Sequence, residues 1–509
     1  MVSTAQLRDA EVTAGQGGSS QERKSLVFAL LALTCTYLAV MSGHNYSIDG
    51  LLIYRQALSI VQNFSLHFAV PVFWVHTQPT SISGIGLALL YVPSAFVLTK
   101  LGVTPPTPAP TMGDWDLFYR DPVYIIGGAP VHIVIAVATG YLVYRFARSL
   151  GFNTTTSLLA LASYGVASPV LVYSRGDFPQ PALGLWLMVG MLSAHLYRET
   201  RRPAAILAAG TALILAVLTR PVEGSFLFPV LLFMVVPDLI PLRWRGETVK
   251  DVGVLVAFYA ASVALTLVIN FGRFGSFTEV GYPVVNWGTP LWIGVPGDLI
   301  GPSRGILWQF PLIVLAPLGV RRLWSTRFRN AAVAMSALVV VLFVNAALWY
   351  WWWGAQSWGD RLFVPAWPLV AILAAAGATS LRSPLRLWLT PVLFAGGVVW
   401  AIPATVTDLL GGYGGYYDGS SLSFLLSGYP PIGAWRFLHH VRAAGLTDSS
   451  AVDIIWFKIA RTTHNVSLLA PLLLITAAAA LTWKALRLAQ ALPESADRAR
   501  SVQVMRLES

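Results

Sequence analysis

Apolar stretches long enough to cross about 30 Å of hydrocarbon as helices recur about twelve times along this chain. Membrane-spanning strands would be roughly half that length and would alternate in polarity, which these runs do not. Of the 509 residues, 56% are hydrophobic and only 11% are charged, where a soluble domain carries roughly 25% charged residues. The sequence therefore predicts an all-α integral membrane protein.

Short basic clusters separate the runs and set an orientation. Arg23/Lys24, Arg145/Arg148, Arg198/Arg201/Arg202, Arg243/Arg245/Lys250, Arg321/Arg322/Arg327/Arg329, Arg382/Arg386 and Lys484/Arg487 all belong on the cytoplasmic side if positive charge stays inside. Spans then fall near 25–41, 124–144, 155–173, 181–197, 203–219, 225–241, 252–270, 305–320, 331–350, 364–380, 387–404 and 466–483. Both termini lie inside on this map. The same scattering argues that the net charge of +11 serves orientation, and that nucleic acid is not a partner. The one cysteine, Cys35, sits in the first run, so neither an intrachain disulfide nor a cysteine zinc site is available.

Residues 1–24 are polar and read as a disordered cytoplasmic tail, and 25–404 as the transmembrane module. Residues 405–465 read as an outer cap segment, and 466–509 as the last span with a cytoplasmic tail. The run 82–100 is apolar, but counting it as a span would put the later basic clusters outside. It reads instead as a re-entrant or juxtamembrane helix, weakened by Pro93, within a long first outer loop, 42–123. Earlier in that loop, 50–62 reads as an amphipathic helix. Leu51, Leu52, Ala57, Leu58 and Val61 form its apolar face, and Arg55, Gln56, Ser59 and Gln62 its polar one. The prolines of 104–110 predict a stiff extended linker.

Charged residues gather at the outer ends of the spans. Arg175 and Asp177, Arg220 and Glu223, Arg304, and Asp360 and Arg361 all sit there, and Asp49 follows the first span. Arginines at an outer boundary run against the orientation trend. A phosphate would explain them, because guanidinium grips phosphate oxygens in a planar fork. Interface snorkelling or internal Arg–Asp pairing would explain them too. Asp49 suits either a reactive carboxylate or the cap of the following helix. His44, His67 and His76 share the first loop without compact metal-ligand spacing. The aromatic run 349–353 suits an interfacial belt or a sugar-stacking surface.

The order of these short motifs resembles that of the GT-C glycosyltransferases, such as protein O-mannosyltransferases and lipid A aminoarabinose transferases. Asp49 with Tyr54 is similar to their Asp-bearing first loop, and Ser83–Pro93 to the juxtamembrane segment after it. Tyr144–Gly151 is similar to the basic turn after the second span, and Tyr173–Pro179 to the second outer loop. Leu218–Pro221, Gly301–Gly305 and Gly359–Pro365 resemble further turns. The likeness covers roughly residues 40 to 370. Two departures stand out. The stretch Thr77–Ser81 lacks the lysine that relatives carry before the juxtamembrane helix, and the first loop lacks the Asp-Glu pair of some subfamilies.

The resemblance implies a GT-C-like bundle of about 12 transmembrane helices. It implies transfer of a sugar from a polyprenyl-phosphate donor to a glycan, lipid or protein acceptor at the outer face of the cell membrane. Asp49 is the expected general base, with Asp177 a second acidic candidate. Tyr54, Arg55, Arg175, Arg220, Arg304 and Arg361 are the expected substrate and phosphate ligands, Arg304 first among them. No cofactor is required on this reading, although a divalent metal is compatible with it. A transporter or flippase for a lipid-linked sugar or another anion is the alternative, since twelve spans with both ends inside suit that class as well.

Overall fold

The computed structural model describes residues 4–43, 47–68, 80–81, 83–103, 122–176, 178–236, 246–279, 287–354, 357–407, 432–433, 439, 453–457, 459 and 469–492. Among these the architecture is all-helical, with one isolated β-bridge between Trp287 and Trp349. Six helices are long and apolar enough to cross a membrane: Val123–Ser149, Thr248–Phe274, Arg329–Leu348, Arg361–Ala378, Ser383–Val406 and Leu469–Gln490. Shorter apolar helices include Gly86–Lys100 and Pro203–Thr219.

Several stretches expected as unbroken spans are interrupted, and proline explains where. The expected span 305–320 becomes Ile306–Gln309, a 3₁₀ turn Pro311–Leu315 and a helix Ala316–Trp324. Pro311 has no N–H to continue the ladder from the preceding turn. The expected span 155–173 breaks after Gly165, and Pro169 precedes the short helix Val170–Tyr173. Of the expected span 225–241, the described part gives the helix Leu227–Val235, and residues 237–241 lie outside the described residues. By contrast, Pro203–Thr219 matches its expected span, with proline at the first helical position, where a missing N–H costs nothing.

The centre of the bundle is Trp367–Ala378, of which every residue is buried. Its Gly377 meets Gly319 of the neighbouring helix so closely that a β-carbon on either would run into the facing backbone carbonyl. Small residues let these two backbones touch, as in other membrane helix pairs.

The amino-terminal helix α1 spans Thr4–Ala39. It therefore begins inside the stretch that composition marks as a tail. Its Glu22 pairs with Arg148 at 2.8 Å and accepts from the Tyr144 hydroxyl. Helix α2, Ile48–Asn63, follows the first loop segment, and helix α3, Gly86–Lys100, packs against it.

Amphipathic patterning misdescribes α2. Arg55, Gln56 and Ser59, assigned to a polar outer face, are buried along with the apolar face. Their burial has a use. Gln56 donates to the Leu66 carbonyl and to Thr80, and Ser59 donates to the His67 carbonyl at 2.5 Å. The polar face thus holds the chain that doubles back over it.

Candidate functional site

Ser47 starts α2 in extended conformation and accepts from the Gly50 amide at 3.1 Å. That hydroxyl performs the capping that Asp49 was a candidate for, and Asp49 falls in the first helical turn instead. A carboxylate there is favoured by the helix dipole. Its side chain stands 3.9 Å from the guanidinium of Arg361, and both remain partly accessible, at 19% and 16%. The structure thus brings together two of the residues nominated from sequence.

Arg361 is the first residue of the 3₁₀ turn Arg361–Ala366. Its guanidinium also lies over the Phe178 ring, 4.9 Å from the centroid, a favourable cation–π arrangement. The loop that delivers Arg361 is built by tight turns. Gly354 and Gly359 have φ of +75° and +65°, values that glycine adopts without cost. A β-carbon on Gly359 would also strike the Gln309 amide. From below, Arg304 donates to the carbonyls of Ser357 and Gly359, the latter at 3.0 Å, and Tyr173 donates to the Trp358 carbonyl at 2.9 Å.

Asp360 precedes Arg361 and is fully buried. One of its oxygens accepts from the Leu362 and Phe363 amides at 3.0 and 3.2 Å. Burial pushes its pKa up to about 7, against the opposing pull of those amides and of Arg304 and Arg361. Asp298, on the helix Leu291–Ile300, is also fully buried. Its carboxyl is driven well above the ordinary range by burial first and by the charge of Asp360 second, with Arg304 opposing. This pair of carboxyls behind Arg361 was visible in sequence only as two separate acids, because nothing local links 298 to 360.

The other nominated residues sit elsewhere. Arg175 is wholly buried and pairs with Asp453 at 2.8 Å, the internal-pair alternative rather than an exposed phosphate ligand. Arg220 pairs with Glu223 three residues on, its Nε 2.9 Å from the carboxylate. Tyr54 is buried in edge-on contacts with Tyr91 and Tyr124, at 5.2 and 5.6 Å between centroids. It anchors α2, and Arg55 is buried beside it in the same helix. Arg304 supports the loop, as above. Asp177, His44 and His76 lie outside the described residues. His67 contacts the Arg273 carbonyl at 3.1 Å. Among the described residues, no group of three His, Cys, Asp or Glu side chains is placed to hold a metal ion.

Sequence reasoning missed Asp453 and Phe178. Asp453 carries a signal in hindsight, as a lone acid within the apolar segment Val452–Phe457, where burial demands a partner.

These features define a polytopic helical protein with an Asp–Arg pair at one end of its bundle. Neither a described protein family nor a curated protein sequence matches the chain. In structure the chain is similar to ArnT from Cupriavidus metallidurans in the apo state, at 14% identity and a TM-score of 0.48. The match covers 93% of this chain and 77% of that one. The same enzyme bound to undecaprenyl phosphate gives 15% identity, a TM-score of 0.49, and coverage of 94% and 77%. The apo oligosaccharyltransferase of Archaeoglobus fulgidus gives 13% identity and a TM-score of 0.49. There the match covers 84% of this chain and 58% of the archaeal protein.

Proposed function

We propose that this protein is a membrane glycosyltransferase that moves a sugar from a polyprenyl-phosphate donor to an acceptor hydroxyl at the outer face of the membrane. One observation carries the reading. Asp49, in the first loop, faces Arg361, near the middle of the chain's second half, and the pair stays partly accessible. Arg175 and Arg220, by contrast, engage neighbouring acids. The order of motifs along the sequence supports the same class.

The separation of 3.9 Å exceeds ordinary hydrogen-bond length, about 2.7–3.2 Å for N–H···O. The two groups attract each other, and an entering donor can part them. Arg361 then faces the carrier phosphate with fork geometry suited to its oxygens, and Asp49 is left beside the anomeric carbon. The acceptor oxygen attacks that carbon as its proton passes to Asp49. The bond from carbon to phosphate oxygen breaks, and its electron pair leaves with the polyprenyl phosphate, whose charge Arg361 stabilises. Attack opposite the leaving group inverts the anomeric centre. A monophosphate leaving group gives a divalent metal less to do than a nucleotide diphosphate would. The acceptor is a glycan, a lipid or a protein.

The test uses the full chain in lipid vesicles with a panel of polyprenyl-phosphate sugars and candidate glycan, lipid and peptide acceptors, reading release of free polyprenyl phosphate. Release that depends on Asp49 is the expected result. Movement of intact lipid-linked sugar across the bilayer, with no release, would overturn the proposal in favour of a transporter.

A further inference from the structure

We infer that the buried Arg175–Asp453 pair is a positioning device for the Asp49 half of the Asp49–Arg361 site; the inference rests on the transferase reading above. The two side chains are 0% exposed and 2.8 Å apart. What they hold is the beginning of the loop that carries Asp49. Asp453 accepts from the Ser42 hydroxyl at 2.8 Å through one oxygen and from the Gly43 amide at 3.1 Å through the other. Arg175 donates to the Val40 carbonyl at 2.8 Å, and also to the carbonyls of Ala404 and Asp453. The chain around Asp453 adds three more ties. Its own amide donates to Val406 at 2.9 Å, the Ile455 amide to Met41 at 2.9 Å, and the Trp456 indole to the Leu38 carbonyl at 2.7 Å.

Residues 38, 40, 41, 42 and 43 are thus pinned in succession across the end of α1 at Ala39. The cap of α2 at Ser47 and the carboxylate of Asp49 follow four and six residues after Gly43, with 44–46 outside the described residues. A single carboxylate therefore fixes where the loop with the base departs. An apolar contact could fill the same volume, but it could not satisfy the amide, hydroxyl and carbonyl groups that converge there. Such groups are costly to bury without partners.

Two variants test this without leaving a lone buried charge. Ser42→Ala removes one bond, and the double variant Arg175→Met with Asp453→Asn removes both charges while keeping an acceptor for Gly43. Hydrogen exchange is read on the full chain in detergent, without substrate. The first-turn amides of α2, Gly50 and Leu51, are compared with Ala57 and Leu58 later in the helix. We expect exchange of the first turn to rise roughly tenfold or more in both variants while the later turn is unchanged, as local opening of one cooperative unit requires. Turnover should fall in kcat with donor KM little altered. Faster exchange confined to residues 42–43, or acceleration throughout α2 alike, would overturn the inference. The exchange result does not depend on the reaction. A wild-type protein that releases no polyprenyl phosphate would remove the transferase reading and leave the exchange pattern standing on its own.

Discussion

The Asp49 carboxylate stands 3.9 Å from the Arg361 guanidinium, near enough for attraction and too far for a hydrogen bond. Each is set by its own local device. Asp49 is placed by a serine-capped helix start, and Arg361 by a turn that two positive-φ glycines permit. Neither device refers to the other, so their meeting is a property of the bundle. The arrangement leaves both groups able to exchange their mutual attraction for contacts with a substrate.

Asp49→Asn should abolish sugar transfer while leaving folding and donor binding in place. The amide keeps the shape but cannot take up the acceptor's proton, and the loss expected of a general base is roughly 10²-fold or more. Single-turnover release of polyprenyl phosphate by purified protein measures it. A wild-type rate would remove Asp49 from that role.

Arg361→Lys and Arg175→Lys should fail in opposite ways. At position 361, lysine offers charge without a planar fork. We therefore expect undecaprenyl phosphate to bind roughly tenfold more weakly, the factor that about 1.4 kcal/mol makes, with thermal stability unchanged. At position 175, lysine cannot reach all the carbonyls that Arg175 bonds along with Asp453. Carbonyls left without their donors in a buried site are costly, so thermal stability should fall. Titration of undecaprenyl phosphate against intrinsic fluorescence, beside melting curves, separates the two. Equal affinity loss in both variants would contradict the assignment of roles.

The contrast between these arginines shows what the sequence could carry. Hydropathy placed Pro203–Thr219 to the residue, because a helix buried in apolar surroundings needs only length and a starting proline. Position along the chain also put Asp49 and Arg361 on the same side of the bundle before any geometry was known. It could not sort the arginines by role. Arg175 and Arg361 each border an apolar run and lie within two residues of an aspartate. What distinguishes them is Asp453, far along the chain, which only tertiary packing delivers. The buried polar face of α2 was misread for the same reason: Gln56 and Ser59 look solvated until the returning segment at Leu66 and His67 covers them.

The orientation inferred from the basic clusters makes a prediction at two exposed positions, Asn63 at the end of α2 and Ser380 after the central helix. In a Cys35→Ala background, Asn63→Cys should react with a membrane-impermeant thiol reagent in intact cells. Ser380→Cys should react only after permeabilisation, since it neighbours Arg382 and Arg386, which the positive-inside rule keeps in the cytoplasm. The reverse labelling pattern would invert the map and place Asp49 inside.

The buried carboxyls behind the site make the last prediction, which concerns pH. Asp360 has a folded-state pKa of about 7, raised chiefly by burial, whereas an aspartate in the unfolded chain titrates near 3.9. Between those values the folded protein holds a proton that the unfolded chain has lost. Folding then takes up a proton, so stability declines as pH rises through that window and levels off above it. Asp298 is shifted in the same direction and adds to the slope. Asp360→Asn should keep the acceptor for the Leu362 and Phe363 amides and remove the titration. Its stability curve should therefore be flatter by up to about 1.4 kcal/mol per pH unit, the effect of one proton. The variant should also relieve Asp298, because the neighbouring negative charge that raises its pKa is gone. Melting measured from pH 5 to pH 8 in matched detergent reads both effects. A wild-type protein that gained stability with pH across that range would mean that Asp360 is ionised in the fold, and that Arg304 and Arg361 outweigh its burial.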